Sequence, residues 1–251
     1  MIAARTRRAL LYMASIVGGL AAWEFAAQGV SRIVVAPPSA VAVSLFDGVS
    51  SGRIPQAFAA SLGHMVPGLA IAFVIALPLS LALGRSRTVA DYLDPVLSAL
   101  YAIPPVAFVP IIIVWCGFDF GARVTLVALM SFFEMLFTFS AGARNIPPGL
   151  IDVGRSFSAR RFSLIRSVML PSMLPFVLTG FRLGVIRAIH GMIVAELFFR
   201  AVNLGQIMKR DAAHFDSAGV LAIIVVLAAF GLATNESLKT LEWKMLSQKH
   251  A

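Results

Sequence analysis

Residues 61–86, SLGHMVPGLAIAFVIALPLSLALGRS, carry no charged side chain before Arg85. A helix of about 20 apolar residues, rising 1.5 Å per residue, covers the roughly 30 Å of hydrocarbon in a bilayer. The stretch therefore predicts a membrane-crossing helix over about 61 to 83, and five further stretches of the chain read the same way. These lie at about 9 to 29, 95 to 116, 123 to 144, 174 to 198 and 218 to 239. Composition agrees with that reading. Of 251 residues, 59% are hydrophobic and 13% charged, with a mean hydropathy of +0.88, where ordinary soluble domains are about 25% charged. The expected fold class is an all-α polytopic membrane protein with six transmembrane helices. No repeat, low-complexity tract or linker divides the chain, so 1–251 is expected to be one transmembrane domain.

Six crossings place both ends on one side of the membrane, and the distribution of basic residues says which. Arg5, Arg7 and Arg8 precede the first span, Arg85 and Arg87 follow the second, and Lys239, Lys244 and Lys249 follow the last. Arg144, Arg155, Arg160, Arg161 and Arg166 follow the fourth, which brings this face to thirteen of the 21 basic residues. The opposite face has six: Arg32, Arg53, Arg123, Arg200, Lys209 and Arg210. Both termini are expected in the cytoplasm. The net charge of +9 sits in short clusters at the ends of apolar runs, where anionic headgroups attract it, so membrane lipids are the expected partner and nucleic acid is not.

Several local features refine this outline. The N-terminal arginines and apolar run resemble a secretory signal, but the run exceeds the usual length of about 7 to 15 residues and is read as the first span. Cys116, the one cysteine, excludes an internal disulfide and a cysteine metal cluster. In the first outer loop Ser39 is expected to cap a short apolar helix after Pro37 and Pro38. Within the third span, Pro104, Pro105 and Pro110 each remove a helix hydrogen bond and should break or bend it. Carbonyls freed in that way need protein or a water-lined cavity around them.

The longest cytoplasmic segment, about 147–171, contains LIDVGRSFSARRFSLIRSVMLP from Leu150 to Pro171. Leu150, Val153, Gly154 and Phe157 fall at the i, i+3, i+4, i+7 spacing of an amphipathic helix, and Phe162, Ile165, Val168 and Met169 continue the apolar series. Four arginines lie largely off that stripe. Pro147 and Pro148 start the segment and Pro171 is expected to stop it, giving a helical hairpin on the membrane surface.

This segment resembles the cytoplasmic coupling motif of ABC importer permeases, E-A-A-x3-G-x9-I-x-L-P. Asp152, Val153 and Gly154 stand at its first three positions, Ser158 at the glycine, Val168 at the isoleucine, and Leu170 and Pro171 match it outright. The stretches PPSAVAVSLFDGVSSG, YAIPPVAFVPIIIVWCGF and LPSMLPFVLTGFRLGVIRAIHGMIVAEL, with the opening one, resemble the nitrate, taurine and alkylsulfonate subfamily. The resemblance runs from about residue 36 to 246. It implies a type I importer permease fold in a bacterial inner membrane, with Asp152, Val153, Gly154, Arg155, Phe157, Ser158, Arg160, Arg161, Leu170 and Pro171 docking on a cytoplasmic ATPase. It also implies two ATPase subunits, a second and identical permease chain, and a periplasmic or lipid-anchored binding protein. Two departures bear on the docking turn. If the motif's glycine has positive φ, Ser158 strains it, and Asp152 is one methylene shorter than glutamate. None of the four lysines follows a glycine, so the chain has no G-x4-G-K-[ST] phosphate loop. ATP and Mg are therefore expected on the partner, with no cofactor, metal or catalytic residue on this chain.

Ionisable groups at bilayer depth mark candidate functional positions. Glu134 and Arg187 fall near the middle of their spans, within about a turn of each other in depth, and are expected to pair, within or between chains. His190, three residues after Arg187, shares its helical face. With Pro104 and Pro105 they form the expected translocation pathway, a cationic patch suited to a sulfonate, nitrate, bicarbonate or carboxylate. Glu196 and Glu24 are expected to reach toward the interface, and Arg182 to meet carbonyls or an acidic group on a neighbouring helix. Asp211, His214 and Asp216 are too scattered for a metal site. Two other classes remain at this point. An ion-coupled carrier would use Glu134 and His190 as a proton relay, though paired internal repeats are absent; a lipid-modifying enzyme would need a convergent acid, base and nucleophile that the sequence lacks.

Overall fold

The computed structural model describes residues 2–29, 35–158 and 160–247, and among these there is no strand. Arg32 and Lys249, counted above, lie outside the described residues. The elements are α1 (Ile2–Gln28), α2 (Pro38–Ser50), α3 (Arg53–Arg85), α4 (Arg87–Ala102), a 3-10 turn (Pro105–Phe108), α5 (Val109–Cys116) and α6 (Phe120–Arg144). They continue with α7 (Pro148–Ser156), α8 (Arg161–Leu164), a π turn (Ile165–Met169), α9 (Leu170–Phe198), α10 (Asn203–Ala213) and α11 (Ser217–Ser247).

Among the described residues, four helical segments are long and apolar enough to cross a membrane: Arg53–Arg85, Phe120–Arg144, Phe162–Phe198 and Ser217–Met245. A fifth candidate is the pair Arg87–Ala102 and Pro105–Cys116, bent by 94° at its break. The third expected span is thus interrupted by a sharp bend, and the proline argument gives the reason. Pro104 and Pro105 open the 3-10 turn and Pro110 lies in the first turn of α5, where a missing N–H is harmless. The first expected span forms α1, a 27-residue helix.

The chain divides into two compact units, Met1–Phe58 with Val202–Ala228, and Ala59–Ala201 with Ala229–Ala251. In the first, Ala36 and Val41 of the loop and α2 bury against Ala222 of α11. The cap of α2 differs from the expectation. The cap is Pro37, two residues earlier, so the helix starts at Pro38, and Ser39 donates from its backbone N (3.0 Å) and its Oγ (2.7 Å) to the carboxylate of Glu24. Glu24 therefore caps a helix N-terminus, where an anion is favoured by free N–H groups and the helix dipole.

In the second unit α6 is the hub, half buried over its membrane window, and α9 packs along it. Gly180 and Gly184 of α9, spaced four apart, allow that approach. A methyl group on Gly180 would run into the ring of Phe139 at 2.6 Å, and one on Gly184 into Met135. Small residues at this spacing let two helix backbones come close, which is how helices associate in lipid without a hydrophobic driving force. Phe73 of α3 completes the core, edge-on to both Phe139 and Phe181 at 5.8 Å.

Candidate functional site

The α6–α9 contact sets the geometry of the ionisable groups in the membrane. Arg187 donates from Nε to Glu134 Oε1 at 2.7 Å, and its Nη2 lies 2.5 Å from the same oxygen. The pair forms within one chain. Tyr101, at the end of α4, donates from its hydroxyl to Glu134 Oε1 at 3.2 Å and packs on Phe133 and Phe137. Nothing in the sequence near Tyr101 signalled this role, because the contact joins residues 33 apart on two different helices. Beside the pair is a cavity of about 170 Å³, lined among others by Tyr101, Pro105, Phe108, Phe133, Glu134 and Arg187. Pro104 stands one residue outside that lining and opens the turn. His190 and Arg187 are both exposed along α9.

The hairpin is built differently from its expected stripe. Ile151, absent from that stripe, is the residue α7 buries, at 2% exposure, in a cluster with Ile146 and Met169. Gly154 faces inward too, and a Cβ there would meet Leu164 at 2.6 Å. Its small size serves close packing inside the chain. Leu150, Val153 and Phe157, by contrast, are exposed, Phe157 by 83%. Among the described residues nothing covers their face of α7. Arg155 lies 3.9 Å from Asp152 on the surface, Arg160 is exposed, and Arg161 begins α8.

Two further details of this segment follow from backbone chemistry. Ser158 has φ 56°, and its N–H donates to Arg155 O at 2.8 Å, closing the end of α7. The left-handed conformation suits glycine, so the serine carries strain there. Pro171 does not stop the helix. A π turn over Ile165–Met169 leads directly into α9, with Leu170 and Pro171 in its first turn. Widening the helix just before a residue that has no N–H lets the apolar run Phe162–Phe198 continue through it.

Glu196 departs furthest from expectation. It is fully buried, accepts a hydrogen bond from Ser61 Oγ at 2.5 Å, and lies 3.6 Å from Nε2 of buried His64. It joins α9 to α3, and does not reach toward the interface. Arg182 does as expected: its Nε lies 3.4 Å from Glu242, which also accepts from Thr179 at 2.6 Å, and its Nη1 donates to Asn235 at 3.3 Å. Among the described residues no group of three or more metal-ligating side chains converges.

Over residues 68–246 the chain matches the family described as binding-protein-dependent transport system inner membrane component. It belongs to that family. The permease is 29% identical over 237 residues, 94% of this chain and 83% of the relative, to the putative aliphatic sulfonates transport permease protein SsuC of Bacillus subtilis. It is 34% identical over 207 residues, 82% of this chain and 76% of the relative, to the riboflavin transport system permease protein RibX of Chloroflexus aurantiacus. Its fold matches a chain of the MetNI methionine ABC transporter in an inward-facing form, with a TM-score of 0.69 at 16% identity, covering 78% of this chain and 97% of that one. The permease therefore has the type I importer fold and is an inner-membrane transport component. It is not an enzyme; in such systems the ATPase is a separate subunit.

Proposed function

We propose that this permease passes a small solute bearing an anionic group, of the sulfonate, nitrate, bicarbonate or carboxylate class, from an external binding protein to the cytoplasm. ATP hydrolysis by two partner subunits drives it, and the hairpin at 147–171 transmits the motion. A second, identical permease chain completes the membrane part, and both termini face the cytoplasm. One observation supports the coupling role above others: Leu150, Val153 and Phe157 form an exposed apolar face on α7, flanked by Arg155 and Arg160. Such a face beside basic residues suits a protein surface with an apolar cleft and an acidic rim. Arg187 and His190 add a second argument. Exposed ionisable groups at mid-span are poorly tolerated against lipid and suit a watered path or another copy of the chain. The relative SsuC is named for aliphatic sulfonates, in keeping with an anionic group on the cargo.

The test is purification of the tagged permease from native membranes. An ATPase should accompany it, and hydrolysis in lipid nanodiscs should rise when binding protein and cargo are added. Val153→Asp and Phe157→Asp, both on exposed positions, should abolish the association while leaving the permease folded. Retention of the ATPase by both variants would overturn the assignment of the hairpin.

A further inference from the structure

Little buried surface holds α4 to the rest of its unit. Among the described residues none of the sixteen in α4 is buried, and Tyr92 is 76% exposed. Elements with few buried apolar contacts open at the low end of a protein's range of local stabilities. What fixes α4 against α6 is a pair of polar ties on one face. Asp94 and Tyr101 are seven residues apart, about two helical turns, and so point the same way. Asp94 Oδ2 accepts from Arg144 Nη2 at 2.6 Å. The Tyr101 hydroxyl donates to Glu134 Oε1 at 3.2 Å, with its ring against Phe133 and Phe137.

The two ties differ in what stands behind them. Arg144 is the last residue of α6 and sits at the root of the hairpin. Ala143 before it is fully buried, and Ile146 after it belongs to the cluster with Ile151 and Met169 that seats α7. A movement of the hairpin therefore carries Arg144 with it. Tyr101 stands at the other end, against the carboxylate that holds Arg187 and on the wall of the adjacent cavity. Beyond it Ile103 and Pro104 are extended, each with ψ 126°, before the chain bends by 94° into the 3-10 turn and α5. A short link of this kind between two helices is where a hinge absorbs rotation.

The energetics of the Asp94–Arg144 pair favour a positional role over a stabilising one. Its side chains are 33% and 48% exposed, and an ion pair so open to water adds little to stability. It does set where α4 lies relative to the hairpin. We propose that Asp94 and Arg144 are positioning residues for transport: through them the hairpin swings α4 about the Ile103–Pro104 link, which draws Tyr101 away from Glu134 and opens the wall of the cavity beside Arg187. The inference rests on the reading of 147–171 as the ATPase-coupling hairpin, and it names the residues that carry the hairpin's motion inward. Without the tie the hairpin still docks and moves, but α4 no longer follows.

The test needs no cargo. The permease with its ATPase is placed in lipid nanodiscs in a Cys116→Ser background, and nitroxide labels report distances with and without ATP plus orthovanadate. Gly121→Cys, at an open position on α6, is the fixed reference. Tyr92→Cys reports α4 and Gly149→Cys reports the hairpin. With the tie intact, both distances should change by about 2 Å or more. In Asp94→Asn the hairpin distance should still change while the α4 distance stays fixed, with the melting midpoint unaltered. Arg144→Gln, which removes the other partner, should give the same result, so the outcome does not hang on one variant folding. Exchanging the charges, Asp94→Arg with Arg144→Asp, should restore the α4 change. An α4 distance that responds equally in Asp94→Asn and Arg144→Gln, or that never responds while the hairpin does, overturns the proposal. A hairpin distance indifferent to nucleotide in the unaltered pair defeats the coupling reading beneath it.

Discussion

Glu134 and Arg187, 53 residues apart in the chain, meet at 2.7 Å across the α6–α9 contact, with side-chain exposures of 16% and 46%. The carboxylate is thus the more deeply held partner, and losing the arginine leaves the worse remainder. Arg187→Gln should reduce transport while the complex still assembles, since the α6–α9 packing that holds the helices together does not depend on it. In a double-mutant cycle with Glu134→Gln, the coupling should fall at about 0.5–3 kcal/mol, toward the lower end because Arg187 is half exposed and screened. Thermal unfolding in nanodiscs measures the cycle, and vesicle uptake measures the transport loss. Normal uptake by Arg187→Gln would remove the residue from the pathway.

Gly184 offers a sharper test of the helix packing. Any side chain there enters the space of Met135, which is itself fully buried. Gly184→Ala should destabilise by about 1–3 kcal/mol through overpacking, and Gly184→Leu should yield little folded protein. Gly121, whose Cβ direction is open, is the control: Gly121→Ala should leave the midpoint of unfolding within error.

Ser158 should respond in the opposite direction. At φ 56° a Cβ costs about 1 kcal/mol relative to glycine, so Ser158→Gly should raise stability or leave it unchanged despite the entropy glycine adds to the unfolded chain. Ser158→Val should lower it, because a β-branched side chain fits this region worst. A fall in the melting midpoint for Ser158→Gly would show that the serine hydroxyl makes a compensating contact.

How far the sequence foretold these arrangements depends on how local the cause is. Prolines at 104, 105 and 110 act on their own backbone, and the break they predict is where α4 ends. Glu134 and Arg187 were legible because charge at mid-span is scarce and depth can be counted along two helices. Ser158 was legible as a conditional, since the φ demanded of a turn is a property of one residue. Glu196 was not, because its partners Ser61 and His64 lie over 130 residues earlier and only the packing of α3 on α9 brings them near. The hairpin fails for a related reason. A stripe of apolar residues marks which face is greasy but not which neighbour covers it, and the chain buries Ile151 while leaving Val153 and Phe157 open. Tyr101 reaches Glu134 from the end of α4, just before a 94° bend, and no spacing rule supplies the direction in which α4 lies.

The Glu196 cluster carries the last expectation. Ser61, His64 and Glu196 are each at most 1% exposed; the Ser61 hydroxyl donates to Glu196, while His64 Nε2 stands 3.6 Å from the carboxylate, beyond hydrogen-bond reach. Glu196→Ala deprives Ser61 Oγ of the acceptor it holds at 2.5 Å and leaves a void between α3 and α9. Losing a buried hydrogen bond to a carboxylate costs about 1.5–3 kcal/mol, and the void adds to that. Glu196→Gln retains an amide oxygen for Ser61 and nearly the same volume, so it should lose much less. If the cluster acts only as a tie between the helices, transport per folded molecule should be equal in both variants, and only the amount of folded protein should differ. A glutamine variant that folds normally yet fails in vesicle uptake would instead place the charge of Glu196 in the transport cycle.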